Sequence, residues 1–125
     1  MGNVRHGVVA FAVLSLVIAL AAQEHQKPFR ASDPGVSNPV VTKEIHPRYT
    51  REAMEARVQG TVAMDAVVLQ DGTVGDVTIT QSLDEEYGLD QEAVRALKQW
   101  QFKPGTKDDK PVPVLVNVTM SFTLK

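Results

Sequence analysis

The chain has 125 residues, of which 13 are basic and 15 acidic, and its formal net charge is −2. This length allows one domain with a short leader, and the near balance of charges gives no electrostatic argument for binding nucleic acid. The sequence contains no cysteine. Disulfides, cysteine metal sites and an acylated lipoprotein cysteine are therefore excluded, and a folded domain must be stabilised by its hydrophobic core.

Residues 1–22 form an apolar leader. Residues 7–22 read GVVAFAVLSLVIALAA, with Arg5 before them and an A-x-A pattern at residues 19–21. The run is shorter than the roughly 18 to 20 residues that a membrane-spanning helix needs, which favours a cleaved signal peptide. An uncleaved inner-membrane anchor is the alternative, and both interpretations place the rest of the chain outside the cytoplasm.

Residues 23–40 are polar and are interrupted by Pro28, Pro34, Gly35 and Pro39. They show neither helical nor strand periodicity, which predicts a flexible linker between the leader and a domain at 41–125. Fully extended, this linker would reach about 60 Å at 3.3 to 3.6 Å per residue.

The first predicted elements of the domain are a short helix and a β-hairpin. A threonine followed by glutamates predicts a helix over about residues 50–57. Residues 60–70 and 73–81 alternate apolar and polar side chains, and Asp71-Gly72 between them is a strong hairpin signal. A break in the second alternation predicts a bulge near Gly75.

A second helix and a long final strand complete the pattern. Asp90 is predicted to be the helix N-cap, and apolar residues recur at helical spacing as far as Trp100. Trp100 and Phe102 are predicted to be the largest core residues. The acidic loop at 82–88 is interpreted as solvated surface. Apolar and polar residues alternate without a break over 112–124, which predicts the clearest strand of the chain.

The order helix, strand, strand, helix, strand predicts an α+β fold in which two helices pack on one face of an antiparallel three-stranded sheet. Pro111 and Pro113 lack amide donors, which places the start of the final strand at a sheet edge. A long edge strand is a template for adding another strand, from a peptide or from a second copy of the chain.

The sequence gives no support for catalysis. Its serines and threonines have no adjacent base, His46 is the one histidine at the border of the domain, and no glycine-rich phosphate loop is present. One histidine makes neither a metal site nor a triad by itself. We therefore predict a non-enzymatic protein without a cofactor or metal.

A set of residues lies across 39–125 in a recognisable order: Pro47, Tyr49, Gly60, Asp71-Gly72, Leu89-Asp90, Ala93-Val94 and, most specifically, the Trp100-x-Phe102-x-Pro104 spacing. With this set, residues 39–125 resemble the C-terminal domain of the TonB family of energy transducers. The resemblance implies a periplasmic module that grips the TonB box, a short N-terminal segment of an outer-membrane receptor, in TonB-dependent transport. It also implies inner-membrane partners of the ExbB/ExbD type. In this family the receptor segment adds to the sheet beside the final strand.

The resemblance further implies which residues face the receptor peptide. They precede the first helix or lie on the final strand: Pro47, Arg48, Tyr49, Val114, Leu115, Val116, Asn117, Val118 and Thr119. The alternative function is a structural or adaptor module, or a strand-exchanged homodimer, with no energy-transducing role. The short linker and the exposed edge motivate this alternative.

Overall fold

The structure, a computed structural model, describes residues 27–125. The predicted leader and the first four residues of the predicted linker lie outside the described residues. Within the described part, no helix is long and apolar enough to cross a bilayer. In chain order its elements are β1 (Phe29–Arg30), β2 (Val36–Ser37), β3 (Val40–Lys43), α1 (Arg51–Glu55), β4 (Gly60–Val68), β5 (Val74–Gln81), α2 (Leu89–Leu97), β6 (Gln101–Lys103), β7 (Thr106–Lys107), β8 (Lys110–Pro111) and β9 (Val114–Phe122).

The main sheet has four strands in the order β1-β9-β4-β5. β4 pairs antiparallel with β9 in an unbroken register from Gly60 opposite Phe122 to Val68 opposite Val114. β1 adds to the other side of β9 in the parallel direction. The fold is therefore α+β as predicted, but the prediction of a three-stranded sheet is wrong. The fourth strand comes from a segment too short to show periodicity in the sequence.

Residues 28–39, which we call the N-terminal strap, lie along the C-terminal strands of the domain. The backbone N–H of Phe29 donates to the carbonyl of Pro113 at 2.8 Å. β2 pairs with β7, and the hydroxyls of Ser37 and Thr106 are 2.7 Å apart. The structure thus orders residues that were expected to belong to a flexible linker. Their composition does not reveal this, because their hydrogen-bond partners lie about seventy residues further along the chain.

The β4–β5 hairpin forms where the sequence predicts it. Gly72 has a φ of +87°, a conformation that glycine adopts without a steric penalty. The side chain of Asp71 accepts hydrogen bonds from the hydroxyl and the N–H of Thr73, which lower the pKa of Asp71 below its usual value. Between Val74 and Val77 the register shifts by one residue against β4, which confirms the predicted bulge near Gly75.

The hydrophobic core lies between the main sheet and both helices. Its buried members alternate along β4 and β9 and recur along the helices: Ala53, Val62, Met64, Ala66, Leu89, Ala93, Ala96, Leu97, Met120 and Phe122. The ring of Tyr49 meets that of Phe122 edge-on, with centroids 5.4 Å apart. The Tyr49 hydroxyl donates to the carbonyl of Val58. Tyr49 therefore belongs to the core and fixes the entry into α1.

Two buried carboxylates lie at the start of α2: Asp84 in the preceding loop and Asp90 in the first turn of the helix. Gly88, and not the predicted Asp90, is the N-cap of α2. Asp90 is only 1% exposed and accepts hydrogen bonds from the Ser82 hydroxyl and from the N–H groups of Leu83 and Asp84. Asp84 in turn accepts from two N–H groups of residues 87–89. The interpretation of the 82–88 loop as solvated surface is therefore wrong for Asp84, whose carboxylate takes the place of water for two backbone donors, whereas Glu85 and Glu86 are exposed.

Candidate functional site

The final strand, β9, has one side that is only partly covered. On one side β4 pairs with it along its whole length. On the other side β1 pairs only with Val114 and Leu115. Among residues 27–125, no strand lies on this second side of β9 from Val116 to Phe122. We call this stretch the open edge.

The direction of the backbone groups on the open edge follows from the β1 contact. The Pro113 carbonyl accepts from Phe29 and so points away from β4. Because backbone groups alternate in direction along a paired strand, the odd-numbered residues of β9 direct their N–H and C=O groups to the same side. Asn117, Thr119 and Ser121, all exposed, therefore present backbone donors and acceptors that could pair with an incoming strand.

A groove of about 860 Å³ follows the open edge. Its floor is β9, one end is the strap, and its remaining walls come from β3 and from the chain around β6. The lining residues are Arg30, Ala31, Ser32, Asn38, Pro39, Val41, Asp65, Trp100, Phe102, Leu115, Val116, Asn117, Val118 and Thr119. The groove is large enough for several side chains of an extended peptide, which falls in the size range typical of ligand sites.

Trp100 forms part of the groove wall, although it was predicted to be a core residue. α2 ends at Leu97, so Trp100 no longer follows the helical face, and its side chain is half-buried. Its indole Nε1 donates to the carbonyl of Ile45 at 2.9 Å, and its ring lies 6.1 Å from that of the buried Phe102. These contacts hold the indole in place while one part of it lines the groove.

The two faces of the open edge differ in polarity. Val116 and Val118 pack against the core on the helix side, as does Trp100. On the opposite face, the side-chain amide of Asn117 donates to the carboxylate of Asp65 at 2.9 Å. An extended ligand would therefore meet apolar surface on one face and polar groups on the other.

Residues 45–124 match the family described as Gram-negative bacterial TonB protein C-terminal. The chain belongs to this family. It is similar to Protein TonB of Vibrio cholerae serotype O1, with 30% identity over 110 residues that cover 82% of this chain and 45% of that protein. It is also similar to Protein tonB2 of Pseudomonas aeruginosa, with 36% identity over 78 residues that cover 62% of this chain and 28% of that protein.

The fold is also similar to a solved structure. The solution NMR structure of the Pseudomonas aeruginosa TonB CTD aligns with a TM-score of 0.57 and 21% identity, covering 80% of this chain and 97% of that one. This likeness shows the fold alone. The chain spans less than half the length of the two TonB-family relatives.

The structure separates the predicted receptor-facing residues into two places. Leu115, Val116, Asn117, Val118 and Thr119 line the groove, whereas Val114 is fully buried beside β1. The other group, residues 47–49, does not line the groove. Tyr49 is committed to the core, and Arg48 borders a smaller pocket of about 190 Å³ beside α2. The two predicted groups therefore do not form one site.

Sequence reasoning missed the walls of the groove. Val41 and the strap lie before the region matched to the TonB family. Two-residue strands have no detectable periodicity, so no pattern marked the strap as part of the site. The helical spacing of Trp100 suggested burial, and only the end of α2 at Leu97 shows why this side chain reaches the groove.

Proposed function

We propose that this domain is a periplasmic, non-enzymatic module that binds the TonB box of an outer-membrane receptor in TonB-dependent transport. The receptor segment would add to the main sheet at the open edge of β9. The observation that carries the proposal is the row of outward backbone groups at Asn117, Thr119 and Ser121, of which the first two residues line the groove. Membership of the TonB family supports it.

Strand addition fits the chemistry of this edge. Main-chain hydrogen bonds supply affinity in this binding mode, and contacts with alternate side chains supply specificity. β1 already pairs with the same side of β9, so the backbone geometry there accepts a further strand. In the same proposal Arg48, which is exposed, would make a second contact with the receptor outside the groove.

The proposed site of action depends on the leader. Contact with ExbB/ExbD-type proteins and transfer of energy from the inner membrane would require the leader to remain as an anchor. The leader is either kept as an anchor or cleaved. The mass of the mature chain, measured after the membrane and periplasmic fractions are separated, distinguishes these two forms. A membrane-bound chain that keeps Arg5 supports energy transduction, and a soluble chain beginning at Ala22 supports binding alone.

Replacing Thr119 with proline should weaken peptide binding without unfolding the domain. The N–H of Thr119 points away from β4, so Thr119→Pro removes it without breaking a hydrogen bond between β4 and β9. Proline is tolerated at such a position of an edge strand. The full-length chain in mild detergent would be titrated with a TonB-box peptide, with Trp100 fluorescence as the readout. We expect about a tenfold weaker affinity from the lost hydrogen bond and the imperfect strand that remains.

Thr119→Val is the matched control, because it keeps the N–H and a side chain of similar shape. Its affinity should stay within about twofold of the original chain, since the main-chain hydrogen bonds supply the affinity. Equal binding by a folded Thr119→Pro variant would contradict strand addition at this edge.

The open edge also favours a second candidate function, a homodimer joined through two copies of β9. Light scattering over a concentration series tests it. A monomer at every concentration would remove this candidate and leave the peptide-binding module.

A further inference from the structure

The N-terminal strap determines where the open edge begins. After Arg30 the chain turns away from β9, because the N–H of Asp33 donates to the Arg30 carbonyl at 3.0 Å and the N–H of Arg30 donates to the Asp33 carboxylate at 2.8 Å. This turn ends β1 opposite Leu115. An added strand can therefore meet the outward backbone groups of β9 only from Asn117 onward.

The strap is anchored on both sides of this turn. The ammonium group of Lys107 donates to the Pro34 carbonyl at 3.1 Å and lies 5.2 Å from the centre of the Phe29 ring. The N–H of Thr106 donates to the Ser37 hydroxyl at 3.0 Å. Thr106 and Lys107 form β7, shortly before β9 in the chain. Their contacts therefore fix the position of the strap relative to β9.

The groove also has an apolar corner, which we define as Val41, Trp100, Val116 and Val118. Val41 lies on β3 opposite Phe102 and is 39% exposed. Its neighbour Val40 is 58% exposed and does not line the groove, because successive side chains of a strand point to opposite sides. An extended ligand would place every second side chain against the apolar corner.

We propose that residues 29–41, which precede the region matched to the family, select the peptide that β9 accepts. β1 acts as a stop: it prevents the ligand from pairing with β9 before Asn117. The apolar corner contacts every second side chain of the ligand. The occupant is an extended peptide segment of about five residues, the span from Asn117 to Ser121, with apolar side chains at alternate positions. β1, an extended segment already on this edge, argues for such an occupant. This inference rests on the proposed function.

The alternation is tested with two peptides of the same composition. The first is acetyl-Glu-Thr-Val-Ser-Val-Thr-Lys-amide, and the second has its valines adjacent, as in acetyl-Glu-Thr-Val-Val-Ser-Thr-Lys-amide. The full-length chain should bind the first about tenfold more tightly, because only alternate valines can both be buried in the apolar corner. Equal affinities would overturn this part of the inference.

Val41→Asp and Val40→Asp form a matched pair for the apolar corner. Both add one carboxylate to β3 at an exposed position, so neither is expected to unfold the domain. Val41→Asp should reduce the preference for alternating valines to about twofold or less, because it introduces a charge where an apolar side chain would be buried. Val40→Asp should keep the preference. The same effect from both variants would contradict a role for the apolar corner.

Phe29→Pro tests the stop, since it removes the N–H that donates to Pro113 and proline already precedes this position. The first peptide would be lengthened by two residues at either end. We expect one longer form to bind this variant about three- to tenfold more tightly than it binds the original chain, by pairing with Leu115. Phe29→Val loses the same ring contact with Lys107 but keeps the N–H, so lengthening the peptide should raise its affinity for this variant less than for Phe29→Pro. If lengthening the peptide raises its affinity equally for the original chain, Phe29→Pro and Phe29→Val, β1 does not act as a stop.

The outcomes separate this inference from the function on which it rests. If no peptide perturbs the amides of Asn117, Thr119 and Ser121, the proposed function fails. If peptides bind there without regard to pattern or length, this inference fails alone. If the same amides shift with protein concentration and no peptide, the occupant is a second copy of the chain, and the inference is overturned.

Discussion

Gly72→Ala is expected to destabilise the domain by about 3 to 5 kcal/mol, because a left-handed alanine is strained and its methyl group would also collide with backbone. A Cβ at this position would lie 2.0 Å from the carbonyl oxygen of Phe102, which cannot move as a flexible side chain could. The Gly72 carbonyl also accepts from the Phe102 N–H at 2.8 Å, so any shift breaks this contact. Urea unfolding followed by Trp100 fluorescence measures the loss.

Gly88→Ala provides the control for this substitution. Gly88 has a φ of +91°, close to that of Gly72, but the nearest atoms to its added Cβ would lie 3.7 Å away. Its substitution therefore introduces backbone strain without a collision, and we expect a loss of about 1 kcal/mol. Similar losses for Gly72→Ala and Gly88→Ala would show that the close approach of the hairpin to β6 is unimportant. Phe102, which lies on β6, lines the groove, so a shift of β6 away from the hairpin would also change the groove wall.

Asp90→Ala should destabilise the domain by about 3 to 4 kcal/mol, because it leaves buried hydrogen-bond donors without an acceptor. The carboxylate of Asp90 accepts from Leu83 and Asp84 at 2.9 Å each and from the Ser82 hydroxyl. Asp90→Asn keeps one acceptor oxygen and should lose about half as much. Asp76→Ala, at an exposed position on β5, is the control and should change the free energy of unfolding by less than about 0.5 kcal/mol. Equal unfolding midpoints for the two alanine variants would contradict this account.

The same contacts predict how the stability depends on pH. Burial raises the pKa of Asp90, but the hydrogen bonds from Asp84, Ser82 and Leu83 outweigh it and leave the pKa below its usual value of 3.8. The unfolded chain therefore takes up this proton more readily than the folded chain does. The contribution of Asp90 is fully present above pH 3.8 and is lost as the pH falls through the lower folded-state pKa. Asp90→Asn should flatten this acid dependence, which urea midpoints at pH 6 and pH 3 would show.

Much of the fold follows from local patterns. The hairpin at Asp71-Gly72, the bulge near Gly75 and the long alternation of β9 arise from neighbouring residues, so the sequence predicts them correctly. Asp90 looks like a helix cap because Gln91 and Glu92 follow it as a first turn and the apolar helical face begins at Ala93. Its actual role depends on the path of residues 82–84, which folds back over the helix start and is not visible in the sequence.

The candidate site was predictable only in part. The alternation over 112–124 predicts β9 correctly. The prediction from Pro111 and Pro113 that the start of this strand lies at a sheet edge is wrong, because β1 pairs there with Val114 and Leu115, and the unpaired side begins at Val116. The strap and Val41 depend on contacts across the whole domain, which no local pattern encodes. The place of Trp100 in the groove was also missed. α2 ends at Leu97, about one turn before Trp100, so this side chain lies in the groove wall and not on the buried helix face.

The central claim is that a peptide adds to the sheet at the open edge of β9. Its most direct test is a search for cross-strand nuclear Overhauser contacts between a TonB-box peptide and the isotope-labelled full-length chain. We predict peptide contacts and slowed amide exchange at Asn117, Thr119 and Ser121, with β1 still paired to Val114 and Leu115. Contacts confined to β5 at the other edge of the sheet, or binding without slowed exchange at these amides, would contradict the account.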